Sequence, residues 1–276
     1  MNKITVIFTC FNRCGKTISC IKSLNYTNDK SEINFIAVDD NSSDQTPLEI
    51  HKLIEQGVII TLLKGTGGLY YSGGMRLGIS YALDNTDSDY YLIINDDVAF
   101  NDGIIDSMVE YFERIYERRD EGVLVGCTSD TEGRLSYGAI RYEKGIKYSQ
   151  IGIDDRETCD TFNANCVLIP HDIFKAVPNI DEKYIHSLGD FDYGFSISKR
   201  GFLIKTYDKY VGICIDNPMQ GGWYDKSLGI RERIRAKENV KGAPFGPWFH
   251  YINKNFGLPA AVLHSFTPYI RILLGR

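Results

Sequence analysis

Two adjacent carboxylates, Asp96-Asp97, close the apolar run Tyr90-Tyr91-Leu92-Ile93-Ile94-Asn95. Like charges side by side suit a core badly. A divalent cation, with its preference for oxygen ligands, would resolve the repulsion. The competing reading is a polar turn that caps the next helix. A second pair, Asp39-Asp40, follows Asn34-Phe35-Ile36-Ala37-Val38, and a third acidic element is Asp190-Phe191-Asp192. Between the first two pairs runs Lys64-Gly65-Thr66-Gly67-Gly68-Leu69-Tyr70-Tyr71-Ser72-Gly73-Gly74-Met75-Arg76. Its glycines let backbone approach a ligand and leave N–H groups free at a helix start, an anion site. Arg76 adds a fixed positive fork. A flexible turn with a solvent-facing arginine is the alternative. Gly15-Lys16-Thr17 is no phosphate loop, because that signature needs a glycine where this chain has Cys10.

These groups need elements to carry them. A short continuous apolar run reads as a strand buried on both faces. Such runs occur at 4–9, 34–38, 58–63, 90–94 and 123–127. Helical spacing fills the gaps at 17–24, after Pro47, up to about Leu83, and over roughly Asp102 to Arg118. The first 127 residues therefore read β-α-β-α-β-α-β-α-β, which predicts a mostly parallel sheet with right-handed crossovers and helices on both faces. Ligands of such sheets bind at the C-terminal strand ends, where the acidic pairs fall. The second half breaks the alternation. A hairpin is expected from 135–140 and 145–151, a strand at 165–170, a short helix ending at Gly201, and closing strands at 202–206 and 210–214.

With 276 residues, 43% hydrophobic and 24% charged, the chain has the composition of a globular protein of one large or two small domains. A formal charge of −5 argues against a nucleic-acid partner. The charge is uneven, with +6 from Arg231 to Arg276 and −11 before it. Seven cysteines without a CxxC pair predict reduced, buried thiols and a cytoplasmic setting. Met1-Asn2-Lys3 leads directly into a strand-like run, so no secretory leader is expected.

Taken together, the motifs resemble those of the family 2 glycosyltransferases, of GT-A fold, over roughly residues 1–215. Val6-Ile7-Phe8-Thr9-Cys10-Phe11-Asn12-Arg13 is similar to that family's opening strand and nucleotide loop. Val38-Asp39-Asp40-Asn41-Ser42-Ser43-Asp44-Gln45-Thr46 is similar to its second-strand motif. Asn95-Asp96-Asp97 stands where the family carries an Asp-x-Asp metal motif, with Asn in its first position. Gly189-Asp190-Phe191-Asp192 resembles its Glu-Asp-x-Asp element, with Gly for Glu.

The resemblance implies an inverting transferase, with rhamnosyltransferase-like members among its relatives. It would move a hexosyl or deoxyhexosyl group from a UDP- or dTDP-sugar to a hydroxyl of a growing glycan, as in bacterial-type surface polysaccharide biosynthesis. Asp190 falls on the catalytic base. Thr9, Asn12, Asp40, Gly74, Arg76 and Asp96 fall on the nucleotide, and Asp97 and Asp216 on a Mg²⁺ or Mn²⁺ ion. Plainer readings stay open: Asp40 and Asp190 as caps, Thr9 as a strand-end hydroxyl, Trp223 as loop packing, His186 as scaffold. Two further functions compete, a nucleotidyltransferase and a non-catalytic nucleotide- or glycan-binding protein.

The catalytic domain is expected over 1–225, with a C-terminal helical extension, aromatic and basic, over 226–276. Its apolar area and positive charge suit an anionic membrane surface. The partners would then be a nucleotide sugar and a glycan or lipid-linked glycan, and the location the inner membrane face. A helical cap on the catalytic domain or on another subunit is the rival.

Overall fold

The structure, a computed structural model, describes residues 1–26, 28–153, 158–215 and 221–275. In chain order the elements are β1 (Asn2–Cys10), α1 (Cys14–Asn25), β2 (Ser31–Asp39), α2 (Thr46–Glu55), β3 (Ile60–Lys64), α3 (Tyr70–Asn85), β4 (Tyr90–Ile94) and β5 (Ala99–Phe100). Then come α4 (Ile104–Ile115), β6 (Gly122–Ser129), β7 (Leu135–Tyr137), β8 (Ala139–Lys144), β9 (Lys147–Ile151), β10 (Thr161–Phe162) and β11 (Cys166–Pro170). The chain finishes with α5 (His171–Ala176), α6 (Gly189–Ser198), β12 (Leu203–Ile213), α7 (Ile230–Glu238), α8 (Phe245–Phe256) and α9 (Leu258–Leu273).

Among the described residues the main sheet has the order β3-β2-β1-β4-β11-β6-β12-β5, with β7 paired to β6. β1, β2, β3 and β4 are parallel, as are β6 and β12. β4 explains why an all-apolar run was needed. Its residues alternate between two cores, as a pleated strand dictates. Tyr90, Leu92 and Ile94 join α1, α2 and α4 on one face. Tyr91 and Ile93 join α3, α5 and α6 on the other. Tyr91 stacks on Phe174 with ring centroids 3.8 Å apart.

The first half follows the expected alternation, and the second half departs from it in three places. β11 runs antiparallel between β4 and β6, which a buried apolar run cannot announce, since strand direction leaves no mark on composition. The closing strands are one strand, β12, bent by register shifts at 206–212. The expected hairpin is split at Gly138. β7 joins the main sheet, while β8 pairs with β9 and β10 in a second, three-stranded sheet. A Cβ on Gly138 would meet the Ile151 carbonyl oxygen at 2.5 Å, so only glycine lets the chain cross there.

The last three helices lie against the body. Tyr251 and Ile252 of α8 and Ala261 of α9 are part of the α3-side core. Lys254 donates to buried Asp192 at 2.6 Å, and His250 contacts Asp181 at 3.0 Å. Asp192, two residues past Asp190, thus turns away to a basic partner, as its spacing on a helix requires.

Candidate active site

β1 and β4 are neighbours, yet α1, which follows β1, and α3, which leads into β4, cover opposite faces. The sheet therefore opens a crevice at their C-terminal ends. A cleft of about 550 Å³ occupies it, lined by Thr9, Asp40, Asp96, Asp97 and Asp190 among others. Carboxylate and hydroxyl groups from four stretches far apart in sequence are thereby brought together.

The carboxylate pair has distinct halves. Asp96 is buried and accepts from Thr17 Oγ1 at 2.7 Å and from Arg13 Nη1 at 3.2 Å. Burial pushes its carboxyl up to about 6, against the pull of Thr17 and Arg13. Asp97 is more open. Its Oδ2 accepts from Arg13 Nη1 at 3.0 Å and lies 3.8 Å from Lys16 Nζ. The Cys214 thiol donates weakly to Oδ1 at 3.8 Å.

Asp40 holds the glycine-rich loop. Its two oxygens accept from Gly67 N at 2.8 Å and Tyr70 N at 2.9 Å. The loop wraps so tightly that a Cβ on Gly65 would stand 2.6 Å from Asp40 Oδ1. The N–H groups of the loop and of the start of α3, expected to face a ligand anion, thus meet partners within the protein: Gly67 and Tyr70 donate to Asp40, and Ser72 and Gly73 to the Ile185 carbonyl. Thr9 lines the cleft and donates to the Val38 carbonyl at 3.1 Å. Gly74 packs against Thr9, outside the cleft lining, where a Cβ would stand 2.8 Å from the threonine Cβ.

Two expected residues are turned elsewhere. Arg76 donates from Nη1 to the carbonyls of Asp181 and Tyr184, each at 3.2 Å, and tethers that segment. Asn12, in a left-handed conformation with φ 52°, clamps the turn after β2 by accepting from Ser43 N at 2.8 Å. Asp216 lies outside the described residues. Trp223 packs its loop, its ring tilted by 31° against Tyr224 with centroids 3.6 Å apart.

Asp190 lies in the first turn of α6 and is partly open to the cleft. It accepts from Phe191 N at 2.9 Å and Ala164 N at 3.3 Å. Burial lifts its carboxyl to about 6, although these N–H groups oppose the rise. A group in that range is neutral or charged close to physiological pH, as a proton acceptor requires. Gly189 permits the placement, since a Cβ there would come within 2.9 Å of the Ser72 Cβ.

Sequence reasoning missed three residues. Arg13 bridges the acidic pair, but its partners are more than eighty positions away, so only the β1–β4 neighbourhood could reveal them. His186 lines the cleft. Burial, with the charges of Lys241 and Arg13, lowers it to about 4, so it is a neutral imidazole. Its Nδ1 is buried without a partner among the described residues. Lys241, from the turn between α7 and α8, also lines the cleft.

The donor set fits a hard divalent cation. Among the described residues no three His, Cys, Asp or Glu side chains gather into a metal nest. Mg²⁺-like ions, however, commonly take one or two carboxylates and complete their shell with water and substrate phosphate. Asp97 offers an accessible carboxylate. Asn95, at the same strand end, has a buried Oδ1 with no partner among the described residues.

A family model described as Glycosyl transferase family 2 matches residues 5–177. The low-salt glycan biosynthesis hexosyltransferase Agl10 of Haloferax volcanii is 22% identical over 234 residues, 80% of this chain and 72% of that protein. Among solved structures, the mannosyltransferase PcManGT from Pyrobaculum calidifontis, in complex with GDP-Man and Mn²⁺, superposes with a TM-score of 0.57 at 15% identity. That match covers 99% of this chain and 79% of the other. TarS of S. aureus, residues 1–349 in complex with UDP-GlcNAc, gives a TM-score of 0.56 at 13% identity, covering 99% and 81%. At such identities the structural likeness speaks for the fold.

Proposed function

Because this chain belongs to glycosyl transferase family 2 and has the GT-A fold, we propose that it is an inverting transferase with Asp190 as its base. The observation that carries this is Asp190 itself. A carboxyl lifted to about 6 shares one cleft with the Asp96-Asp97 pair. Asp190 takes the proton of an acceptor hydroxyl as that oxygen attacks the anomeric carbon. The nucleotide lies along Thr9 and the Asp40-held loop. Asp97, with Asn95 beside it, would hold Mg²⁺ or Mn²⁺, which when bound supplies Lewis-acid stabilisation of the leaving diphosphate. Arg13, Lys16 and Lys241 add positive charge at the same cleft. Neutral His186 offers a hydrogen bond that does not depend on pH above about 5.

The donor is a UDP- or dTDP-sugar carrying a hexosyl or deoxyhexosyl group. The acceptor is a glycan or lipid-linked glycan, and the setting is the inner face of the membrane. Support for the membrane comes from α9. Ala261, Ser265, Pro268 and Ile272 are buried, while Leu258, Val262, Leu263, Phe266, Ile270, Leu273 and Leu274 are exposed on the other side. Leu263 and Leu273 remain more than 60% exposed. Arg271 of α9 and Arg231 and Arg235 of α7 are exposed as well. An outward apolar stripe in an extension that also exposes positive charge is what an anionic bilayer surface binds. Among the described residues no helix is long and apolar enough to cross a membrane.

Calorimetry tests the site directly. UDP, dTDP, GDP and CDP are titrated with Mn²⁺ and again with EDTA, into wild type and Asp97→Ala. Metal-dependent binding of one pyrimidine diphosphate, lost in the variant, is expected. Binding indifferent to metal and to Asp97 would point to a metal-free transferase. Folded protein that binds no nucleotide would sink the reading.

A further inference from the structure

We propose that Arg13 is an exchangeable counter-ion, passing from the acidic pair to the substrate diphosphate as the site fills. The inference rests on the reading of the cleft as a diphosphate site. Arg13 is the one side chain that touches both carboxylates among the described residues, through a single nitrogen, at 3.2 Å from Asp96 and 3.0 Å from Asp97. Its backbone is fixed. It follows the left-handed Asn12, and its carbonyl accepts from Thr17 N at 3.1 Å and Thr17 Oγ1 at 3.2 Å. Its side chain is not fixed, being 44% exposed at the cleft wall.

The two carboxylates that this side chain touches decide its behaviour. Asp96 is already satisfied on its other oxygen by Thr17. Asp97 is the accessible carboxylate, and the oxygen that Arg13 engages there, Oδ2, also faces Lys16. A cation ligated by Asp97 competes for that oxygen and repels the guanidinium at short range. A diphosphate reverses the balance, because it presents a larger anionic charge whose oxygens match the guanidinium fork. Arg13 therefore opposes cation binding on its own and favours diphosphate binding. Removing its charge moves the two affinities in opposite directions. A purely structural clamp would move them together, since loosening the turn between β1 and α1 would impair both ligands.

The test uses Mn²⁺ alone and inorganic pyrophosphate alone, the latter in EDTA, titrated by calorimetry into the full chain. Pyrophosphate makes the readout independent of which base the enzyme prefers. Arg13→Gln is expected to bind Mn²⁺ about fivefold more tightly and pyrophosphate about tenfold more weakly than wild type, changes in the range of ordinary coupling between sites. Arg13→Lys keeps the charge, loses the fork, and falls between them. Thermal melting of each variant reports its folding. Loss of both affinities together, or no change in either, would overturn the proposal while wild type still binds both probes. Wild type that binds neither probe would overturn it along with the diphosphate reading.

Discussion

Thr9 and Gly74 touch so closely that only the threonine side chain separates strand β1 from helix α3; a Cβ on Gly74 would stand 2.8 Å from the threonine Cβ. Gly74→Ala gains helix propensity of up to about 1 kcal/mol. It must also push apart two buried elements, which costs about 1–3 kcal/mol in a packed interior. A net loss of about 1 kcal/mol is expected in urea unfolding. Thr9→Ala in the same chain should recover part of it, because the clash also involves the hydroxyl.

Asp190→Asn should split activity from stability. Loss of the base lowers kcat roughly 10²–10⁴-fold. In wild type, kcat/KM should rise with pH through an ionisation near 6. The folded carboxyl lies above its unfolded value of about 3.9. The fold therefore favours the neutral acid, and that stability is complete below the unfolded value and lost as pH rises through about 6. The amide keeps it at every pH. Asp190→Asn should unfold later than wild type at pH 8, by about 1–3 kcal/mol, with the gap closing below about pH 4. Urea unfolding at the two pH values checks the sign.

Lys254→Met should loosen the extension from the body. It takes from the buried Asp192 carboxylate its lysine partner at 2.6 Å and leaves it Asn255 Nδ2 at 3.2 Å. Breaking a fully buried pair costs about 3–5 kcal/mol. The lysine is 38% exposed, so about 2 kcal/mol is expected here. Asp192→Asn combined with Lys254→Met should restore most of the loss in denaturant titration.

The outer face of α9 can be tested without touching the cleft. Wild type should sediment with phosphatidylglycerol vesicles and far less with pure phosphatidylcholine. Phe266→Glu with Ile270→Glu places charge on the exposed stripe and should abolish sedimentation while leaving nucleotide binding intact. Unchanged sedimentation of the double variant would dismiss this face as the contact.

Much of the site was legible because buried parallel strands write themselves as apolar runs and their polar ends mark the ligand edge. β1, β2 and β4 were readable for that reason, and with them Thr9, Asp40, Asp96 and Asp97 as one locality. Arg76 was not readable. A basic residue after a glycine-rich loop suggests an anion, yet here backbone carbonyls of Asp181 and Tyr184 take its guanidinium. Nothing local to residue 76 encodes a segment more than a hundred positions away. Arg13 and Lys241 escaped for the same reason, and β11 because burial is blind to strand direction.

The antiparallel insertion of β11 between β4 and β6 has a consequence for how the protein can be made. A nascent chain emerges N-terminus first. Until Cys166–Pro170 arrives, the edge of β4 facing β11 has no mate, and the five residues of β4 are all buried ones in the finished protein. An unpaired apolar edge is a template for pairing with another chain. The growing polypeptide must therefore carry that hazard over more than seventy residues of synthesis, and fragments ending before residue 166 should collect in inclusion bodies.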